Sequence, residues 1–385
     1  MKNHFAVYSL LLILFYLSAC QASKKPQEVP AAAVEEKDPR AVAPGTFEGD
    51  FQLIWKDDEE NNSASMYDVS AESMVFGDGI LYYITGPKEP EGGSFSQVKA
   101  LDLKARKLLW SRKFVTQHLT KIDLENGLVV ITGYQGFGDM FDGFSYVFAF
   151  RAGSGELAWK TKIENQPYGG GLFDMAVHGK NVYLLCERND EEQKLVTELL
   201  SLNFNSGEIE TSHKLGRHFF SDIGTFNAPF FLTKTNPQTL KKELVTPKGN
   251  AIIIGKEWIE LAPGSGNSSR EVNSLLAVNL ATGKTAWQYQ DNRELFNSIT
   301  GWQLSGKDQI IHFEKPLNDA GYTGLDIATG NEVLANARNI EVAYNGERAQ
   351  SGSYKDLFAE VSQKPADYKV KYRKEDVWVY EKLKK

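Results

Sequence analysis

A β-propeller of four-stranded blades is the fold class this sequence predicts, and three observations predict it. The first is a recurring pair of strands around a tight turn. Leu276-Ala277-Val278-Asn279-Leu280 passes through Thr282-Gly283 to a second strand that ends on Trp287. Related copies run from Ala100-Leu101-Asp102 to Trp110, from Ala149-Phe150-Arg151 past Ser154-Gly155 to Trp159, from Ser201-Leu202-Asn203 past Ser206-Gly207 to Thr211, and from Gly324-Leu325-Asp326 to Thr329-Gly330. The second observation is another apolar hairpin upstream of these, turning at Asp78-Gly79, Asn126-Gly127, Gly179-Lys180 and Lys248-Gly249. Two hairpins make one four-stranded sheet, and a serial repeat of such sheets is the mark of a propeller. The third is composition: 12% aromatic residues with 33 glycines and 13 prolines suit many short strands joined by turns.

Taken in order, the chain opens with a basic start and an apolar run from Phe5 to Tyr16, followed by Leu17-Ser18-Ala19-Cys20. The run is short for a membrane-spanning helix and is flanked as a secretory signal. Residues 1–19 are therefore expected to be removed. From Cys20 to residue 49 the sequence is mostly Lys, Pro, Glu and Ala. Such a stretch buries too little apolar surface to offset its ordering entropy, so it predicts a flexible tether. The propeller is expected over 50–385. Its first strand, Phe51–Lys56, carries Trp55 where the repeat units carry theirs. It is expected to complete the last blade by pairing near Val377-Trp378-Val379-Tyr380, which joins the two chain ends without leaving open sheet edges at the seam.

The turn positions Arg106, Gly155, Gly207, Gly283 and Gly330 recur at nearly even spacing, except that the interval from Gly207 to Gly283 is long. The surplus predicts an insertion at about 217–241, after which Leu244–Ile252 supplies the usual first hairpin. The blades are then expected at about 66–114, 115–164, 165–216, 217–291, 292–338, and 339–385 completed by 50–57. This counts six, with seven or eight left open by the 217–241 insertion and the weakly patterned 340–368 stretch. Trp55, Trp110, Trp159 and Trp287 are read as packing residues, each covering the neighbouring blade. Gly155, Gly207, Gly283 and Gly330 supply the backbone conformation of the turn beside them.

These hairpins approximate Ala-x-Asp-x-x-Thr-Gly-x-x-x-Trp, and they resemble the pyrroloquinoline-quinone-type propeller repeat over about 55–340. Leu17-Ser18-Ala19-Cys20 likewise resembles the lipobox of bacterial lipoproteins, which implies acylation of Cys20 and a bacterial envelope protein. Gln21, in place of a retention Asp, favours the outer membrane. Two branches of the propeller family bear on function. The quinoprotein dehydrogenases hold the quinone and calcium in a central channel and commonly carry adjacent cysteines, whereas Cys20 and Cys186 are far apart here. The other branch, similar to the lipid-anchored propeller of the outer-membrane β-barrel assembly machinery, matches in lipobox, tether and size. This resemblance implies a non-enzymatic, protein-binding scaffold without cofactor, whose partners are envelope proteins.

Other chemistry is sparse. The net charge of −7 gives no general attraction for nucleic acid. No phosphate-binding loop, nucleophile elbow or zinc-protease motif occurs, so neither catalytic nor metal-binding residues are assigned. His213, His218 and Asp222 are read as residues of an inter-blade connection, and Cys186 as a small buried side chain. Candidate partner-binding residues lie in the glycine- and aromatic-rich stretch 133–144, read as a loop, with Phe137, Phe141 and Phe144. Tyr168 in the 165–171 connection is another, and the insertion carries Phe219, Phe220, Phe226, Phe230 and Phe231. Exposed loop aromatics of this kind can anchor a peptide or a sugar, so a carbohydrate- or small-ligand-binding surface lipoprotein is the alternative function. A quinone-dependent dehydrogenase ranks below both.

Overall fold

The computed structural model describes residues 47–57, 73–88, 95–115, 117–137, 140–164, 172–189, 195–215, 229–236, 239–260, 269–290, 302–305, 310–313, 322–335, 357–361, 367–373 and 376–383. Strands β1 (Phe47–Glu48) and β2 (Phe51–Asp57) come first. Blade one is β3 (Met74–Gly77), β4 (Ile80–Lys88), β5 (Phe95–Asp102) and β6 (Lys107–Val115). Blade two is β7 (Gln117–Glu125), β8 (Leu128–Phe137), β9 (Met140–Arg151) and β10 (Leu157–Glu164). Blade three is β11 (Leu172–His178), β12 (Asn181–Asn189), β13 (Leu195–Asn203) and β14 (Ile209–Lys214). Blade four opens with β15 (Phe230–Phe231). After a separate hairpin of β16 (Thr233–Thr235) and β17 (Lys242–Leu244), it continues with β18 (Asn250–Glu260), β19 (Ser269–Asn279) and β20 (Thr285–Gln290). Blade five is β21 (Trp302–Ser305), β22 (Ile310–Phe313), β23 (Tyr322–Asp326) and β24 (Glu332–Ala335). Blade six is β25 (Leu357–Val361), β26 (Tyr368–Arg373) and β27 (Asp376–Lys382), completed by β2 with β1 outside it.

The described residues thus form six antiparallel blades. Closure uses the two chain ends: β2 pairs with β27, with Phe51 opposite Lys382 and Lys56 opposite Trp378. First strands touch in succession, β3 with β7, β7 with β11 and β11 with β15, which places them innermost.

The second strand of each of the first four blades reads as a continuous apolar run because both of its faces are covered. Alternate residues enter different cores. Leu81 and Tyr83 face the core shared with blade six, while Tyr82 and Ile84 face the core shared with blade two. Val130 packs towards blade three, but Val129 and Ile131 pack towards blade one. Side-chain alternation in a strand is what sends neighbouring residues to opposite faces.

In blades one, three, four and five the Asp or Asn at the end of the third strand has a local task. Its side-chain oxygen accepts backbone N–H groups of the following turn: Asp102 Oδ1 from Ala105, Asn203 Oδ1 from Asn205 and Ser206, Asn279 Oδ1 from Ala281 and Thr282, and Asp326 Oδ1 from Ala328 and Thr329. The outermost strand then bulges. Trp110 lies opposite Ala100 while Leu108 lies opposite Leu101, and the same slip occurs before Trp159, Thr211, Trp287 and Trp55. A bulge re-aims the next side chain and increases local twist. Blade five, with Leu334 in the tryptophan position, pairs without a slip.

Blade four departs from the sequence expectation. Phe230 and Phe231, counted with the insertion, are the first strand: they pair with Ile254 and Ile253, and the Leu232 N–H donates to Ile252. The inserted element is the hairpin β16–β17. Pro247–Gly249 is a 3₁₀ turn, and the Val245 N–H donates to the Leu232 carbonyl as the chain returns.

Candidate functional site

In blades one to three, the turns between the first and second strands and between the third and fourth strands lie at one end. The turn end is where the β16–β17 hairpin acts. Although it belongs to blade four, its Thr239 carbonyl accepts the Phe76 N–H of β3 in blade one at 2.7 Å. Lys241 forms an ion pair with Glu125 at the end of β7 in blade two. Leu240 is buried in the core that Trp55 and Val370 of blade six share with Met74 and Phe76, and β17 contacts β11 of blade three. One short hairpin therefore reaches the inner strands or cores of four other blades, which lays it across the turn end of the channel. Asn236 shapes its tip: its carbonyl accepts the Leu240 N–H and its side chain accepts that of Thr239.

Beside this hairpin the inner strands β7 and β11 carry buried carboxylates. Asp174 of β11 accepts the Phe231 N–H of β15 at 2.7 Å and pairs with Lys121 of β7. Asp123 of β7 is fully enclosed. Burial pushes its carboxyl up to about 7, with Glu243 adding to the rise, against the opposing pull of Lys241 and the N–H groups of Leu124 and Val177. A folded-state pKa above the unfolded carboxylate value of about 3.9 means that the native state binds the extra proton. The resulting stabilisation is complete below about pH 4 and is lost as pH rises through about 7. Thermal melting should therefore fall between about pH 4 and 7 more steeply for the parent than for Asp123→Asn, whose amide can still accept the Val177 N–H. Parallel pH curves for the two would refute the assignment.

The other end of blade two holds the sequence-derived candidates. The 133–144 stretch is strand rather than loop for most of its length: β8 runs to Phe137 and β9 starts at Met140, with Gly136 opposite Phe141 and Phe137 opposite Met140. Phe144 lies opposite Glu164 at the end of β10. Its half-buried ring packs on the aromatic core of Tyr146, Phe148 and Phe150, and the Lys162 ammonium lies 3.4 Å from the ring centroid. The side chains of Phe137 and Phe141 lie outside the described residues, as do Tyr168, Phe219, Phe220, Phe226 and Cys20.

The repeat tryptophans sit over the turn of the following blade. Trp110 Nε1 donates to Ala152 O at 2.7 Å, Trp159 Nε1 to Phe204 O at 2.9 Å, and Trp287 Nε1 to Ile327 O at 3.2 Å. Gly155 lies directly under Trp110, where a Cβ would stand 2.5 Å from the ring, and its φ of +65° disfavours other residues independently. Gly207 meets Trp159 and Gly330 meets Trp287 in the same way. Gly283 meets His213 instead. His213, read as a connection residue, is in β14 and fills the place that Thr211 is too small to fill. His218 and Asp222 lie outside the described residues. Trp55 is buried at the seam between blades six and one. Cys186 is enclosed in the core between blades two and three, where burial raises its thiol to about 12 and leaves it unreactive.

The arrangement of repeats now has a counterpart among known proteins. The sequence profile described as "Outer membrane protein assembly factor BamB" matches residues 143–362, more than half of the chain. The chain belongs to this family. Among solved structures, a europium-containing methanol dehydrogenase is 12% identical over 69% of this chain and 52% of its own, with a TM-score of 0.39. The chain thus spans about half the length of that enzyme. The GH93 alpha-L-arabinofuranosidase of Fusarium graminearum is 11% identical over 82% of this chain and 97% of its own, at a TM-score of 0.41. The quinohemoprotein alcohol dehydrogenase of Comamonas testosteroni gives 10% identity, 87% and 77% coverage, and a TM-score of 0.26. Sequence comparison with curated proteins finds no match.

Membership of the BamB family does not by itself decide about the quinone and calcium of the dehydrogenase branch, so the residues must. Among the described residues, no group of three or more His, Cys, Asp or Glu side chains is placed to hold a metal ion. Asp174 is engaged by Lys121 and backbone N–H groups, and Cys186 is the cysteine in the described region.

Sequence reasoning missed the hairpin across the channel end, the Asp123 and Asp174 pair, and a buried clasp of Asp57 with Lys99 and Tyr83. A signal for Asp174 and Lys99 was present: each stands in an apolar stretch of its strand, which a purely solvent-facing residue would not do in a doubly covered sheet. Asp123 gave none, because Lys121 and Glu125 on either side of it make β7 read as an ordinary polar alternation.

Proposed function

We propose that this protein is a bacterial lipoprotein, anchored through Cys20, whose propeller is a non-catalytic protein-binding scaffold in outer-membrane protein assembly. The observation that carries the reading is the BamB-family match, which spans β9 to β25. The geometry supports it. Tight turns and the β16–β17 hairpin occupy one end of the blades. At the opposite end stands the β8–β9 hairpin. Segments of this kind, displayed by a rigid scaffold, are where binding residues concentrate. The candidate surface is accordingly the β8–β9 hairpin with Phe137, Phe141 and Phe144, together with Tyr168.

Affinity purification from envelope membranes, with a C-terminal tag and a Cys20→Ala control, tests both halves of the proposal. The native chain should fractionate with the outer membrane and recover assembly components, whereas Cys20→Ala should appear in the soluble fraction. If the native chain recovers no more protein than the control, the scaffold role is wrong. If the two chains fractionate alike, the anchor is wrong.

A further inference from the structure

Five large hydrophobic side chains are exposed among the described residues: Phe47, Leu109, Leu157, Ile209 and Leu383. The two on blade six lie together. Phe47 is 54% exposed and Leu383 40%. Phe47 of β1 stands opposite Gln52, Gln52 stands opposite Glu381, and the Leu383 N–H donates to Asp50 O at 2.8 Å. The alternation of β27 puts Leu383 on the face of Glu381, which is also the face of Phe47. Leu109, 38% exposed, is the bulged residue at the same end of the outermost strand of blade one.

Charge around this edge is mixed and close to balanced. Lys104, Lys107 and Lys382 are exposed, Arg106 is paired with Glu381 at 2.7 Å, and the carboxylates nearby include Asp50, Asp102, which caps its own turn, and Asp367, whose carbonyl accepts the Lys382 N–H. Lys384 and Lys385 follow, outside the described residues. The chain that precedes Phe47 is the Lys-, Pro-, Glu- and Ala-rich segment leading back to Cys20.

We infer that the outer edge of blade six, through Phe47 and Leu383 with Leu109 beside them, is a docking surface for the lipid bilayer that seats the propeller against the headgroup layer. The inference rests on the lipid-anchor reading for its setting: the segment leading from Cys20 joins the described chain at Phe47, on this edge. A tethered surface needs little affinity of its own, since anchoring raises its effective concentration at the bilayer. Apolar side chains at the headgroup boundary supply most of the attraction, and the few lysines orient the body on anionic lipid. Because carboxylates nearly balance these lysines, the association should depend only weakly on salt.

The test separates docking from anchoring by removing the lipid. The mature chain from residue 20, carrying Cys20→Ala, is floated with vesicles of phosphatidylethanolamine and phosphatidylglycerol. The expected result is a bound fraction that falls at least about fivefold in Phe47→Ser/Leu383→Ser and changes less than about twofold between 0.1 and 0.5 M NaCl. Both substitutions are at exposed positions, so unchanged melting of the double variant establishes that it is folded. No flotation of the parent, or equal flotation of parent and double variant, overturns the docking surface and leaves the Cys20 anchor untouched. Loss of binding at the higher salt overturns the apolar account.

Discussion

Replacing Lys99 by methionine is expected to lower the unfolding free energy by about 3–5 kcal/mol, because it strips one partner from a buried ion pair. Lys99 sits on β5 with its side chain 4% exposed, and its Nζ lies 3.1 and 2.8 Å from the two oxygens of Asp57. The Tyr83 hydroxyl donates to the same carboxylate at 2.6 Å. Asp57 is the last residue of β2, the strand that the start of the chain contributes to blade six. The clasp therefore joins the closing blade to blade one at the seam where the two chain ends meet. Without the ammonium, the carboxylate keeps the Tyr83 hydroxyl but loses the opposite charge that offsets its desolvation. Asp57→Leu/Lys99→Met should recover most of the loss, short of about 1 kcal/mol for the Tyr83 hydroxyl left without that acceptor. Urea unfolding of the three chains measures this. A Lys99→Met loss under about 1 kcal/mol would mean that the seam is held by Trp55 and its apolar neighbours alone.

The repeat was legible because its parts are local. An Asp or Asn four residues before a Gly, with Trp four residues after the Gly, is enough to place a turn, a bulge and a packing residue. Trp110, Trp159 and Trp287 with Gly155, Gly207 and Gly330 fit together as that pattern predicts. The pairing of β2 with β27 was legible for a related reason: Trp55 carries the motif of a fourth strand that lacks the other three. What sequence alone did not show are the contacts made between distant segments. Nothing local in Thr239-Leu240-Lys241 says that it reaches Phe76 and Glu125. Phe230-Phe231 is too short to announce itself as a strand, and it becomes one because Ile253 and Ile254 offer an open edge. The 133–144 stretch was read as a loop because its glycines outweigh its strand formers. Pairing across the hairpin overrode that local preference.

Trp159→Ala is the second large expected loss, about 3–5 kcal/mol, and it is best read against the seam beside it. Trp159 is buried over Gly207, its Nε1 is satisfied by Phe204 O, and two residues on Thr161 Oγ1 donates to Gly207 O at 2.6 Å. Truncation leaves a cavity between blades two and three that rigid sheets cannot close, which sets the cost. Blade three holds Thr211 at the matching register, opposite Ser201 as Trp159 is opposite Ala149. His213, two residues on, lies over Gly283. In this seat Thr211 Oγ1 and His213 Nε2 are buried without hydrogen-bond partners among the described residues. Far less apolar surface is at stake, so His213→Ala should cost only about 1 kcal/mol. The stronger test is a gain. Thr211→Trp/His213→Thr rebuilds the Trp159 and Thr161 arrangement over Gly283, with the Leu280 carbonyl in the place that Phe204 O holds for Trp159. It should raise stability by about 1–2 kcal/mol, as a buried aromatic replaces two polar groups that lack partners. Chemical denaturation of the four chains decides the matter. If the double substitution destabilises while Trp159→Ala behaves as expected, the seam between blades three and four is shaped around His213 and is no degraded copy of its neighbour.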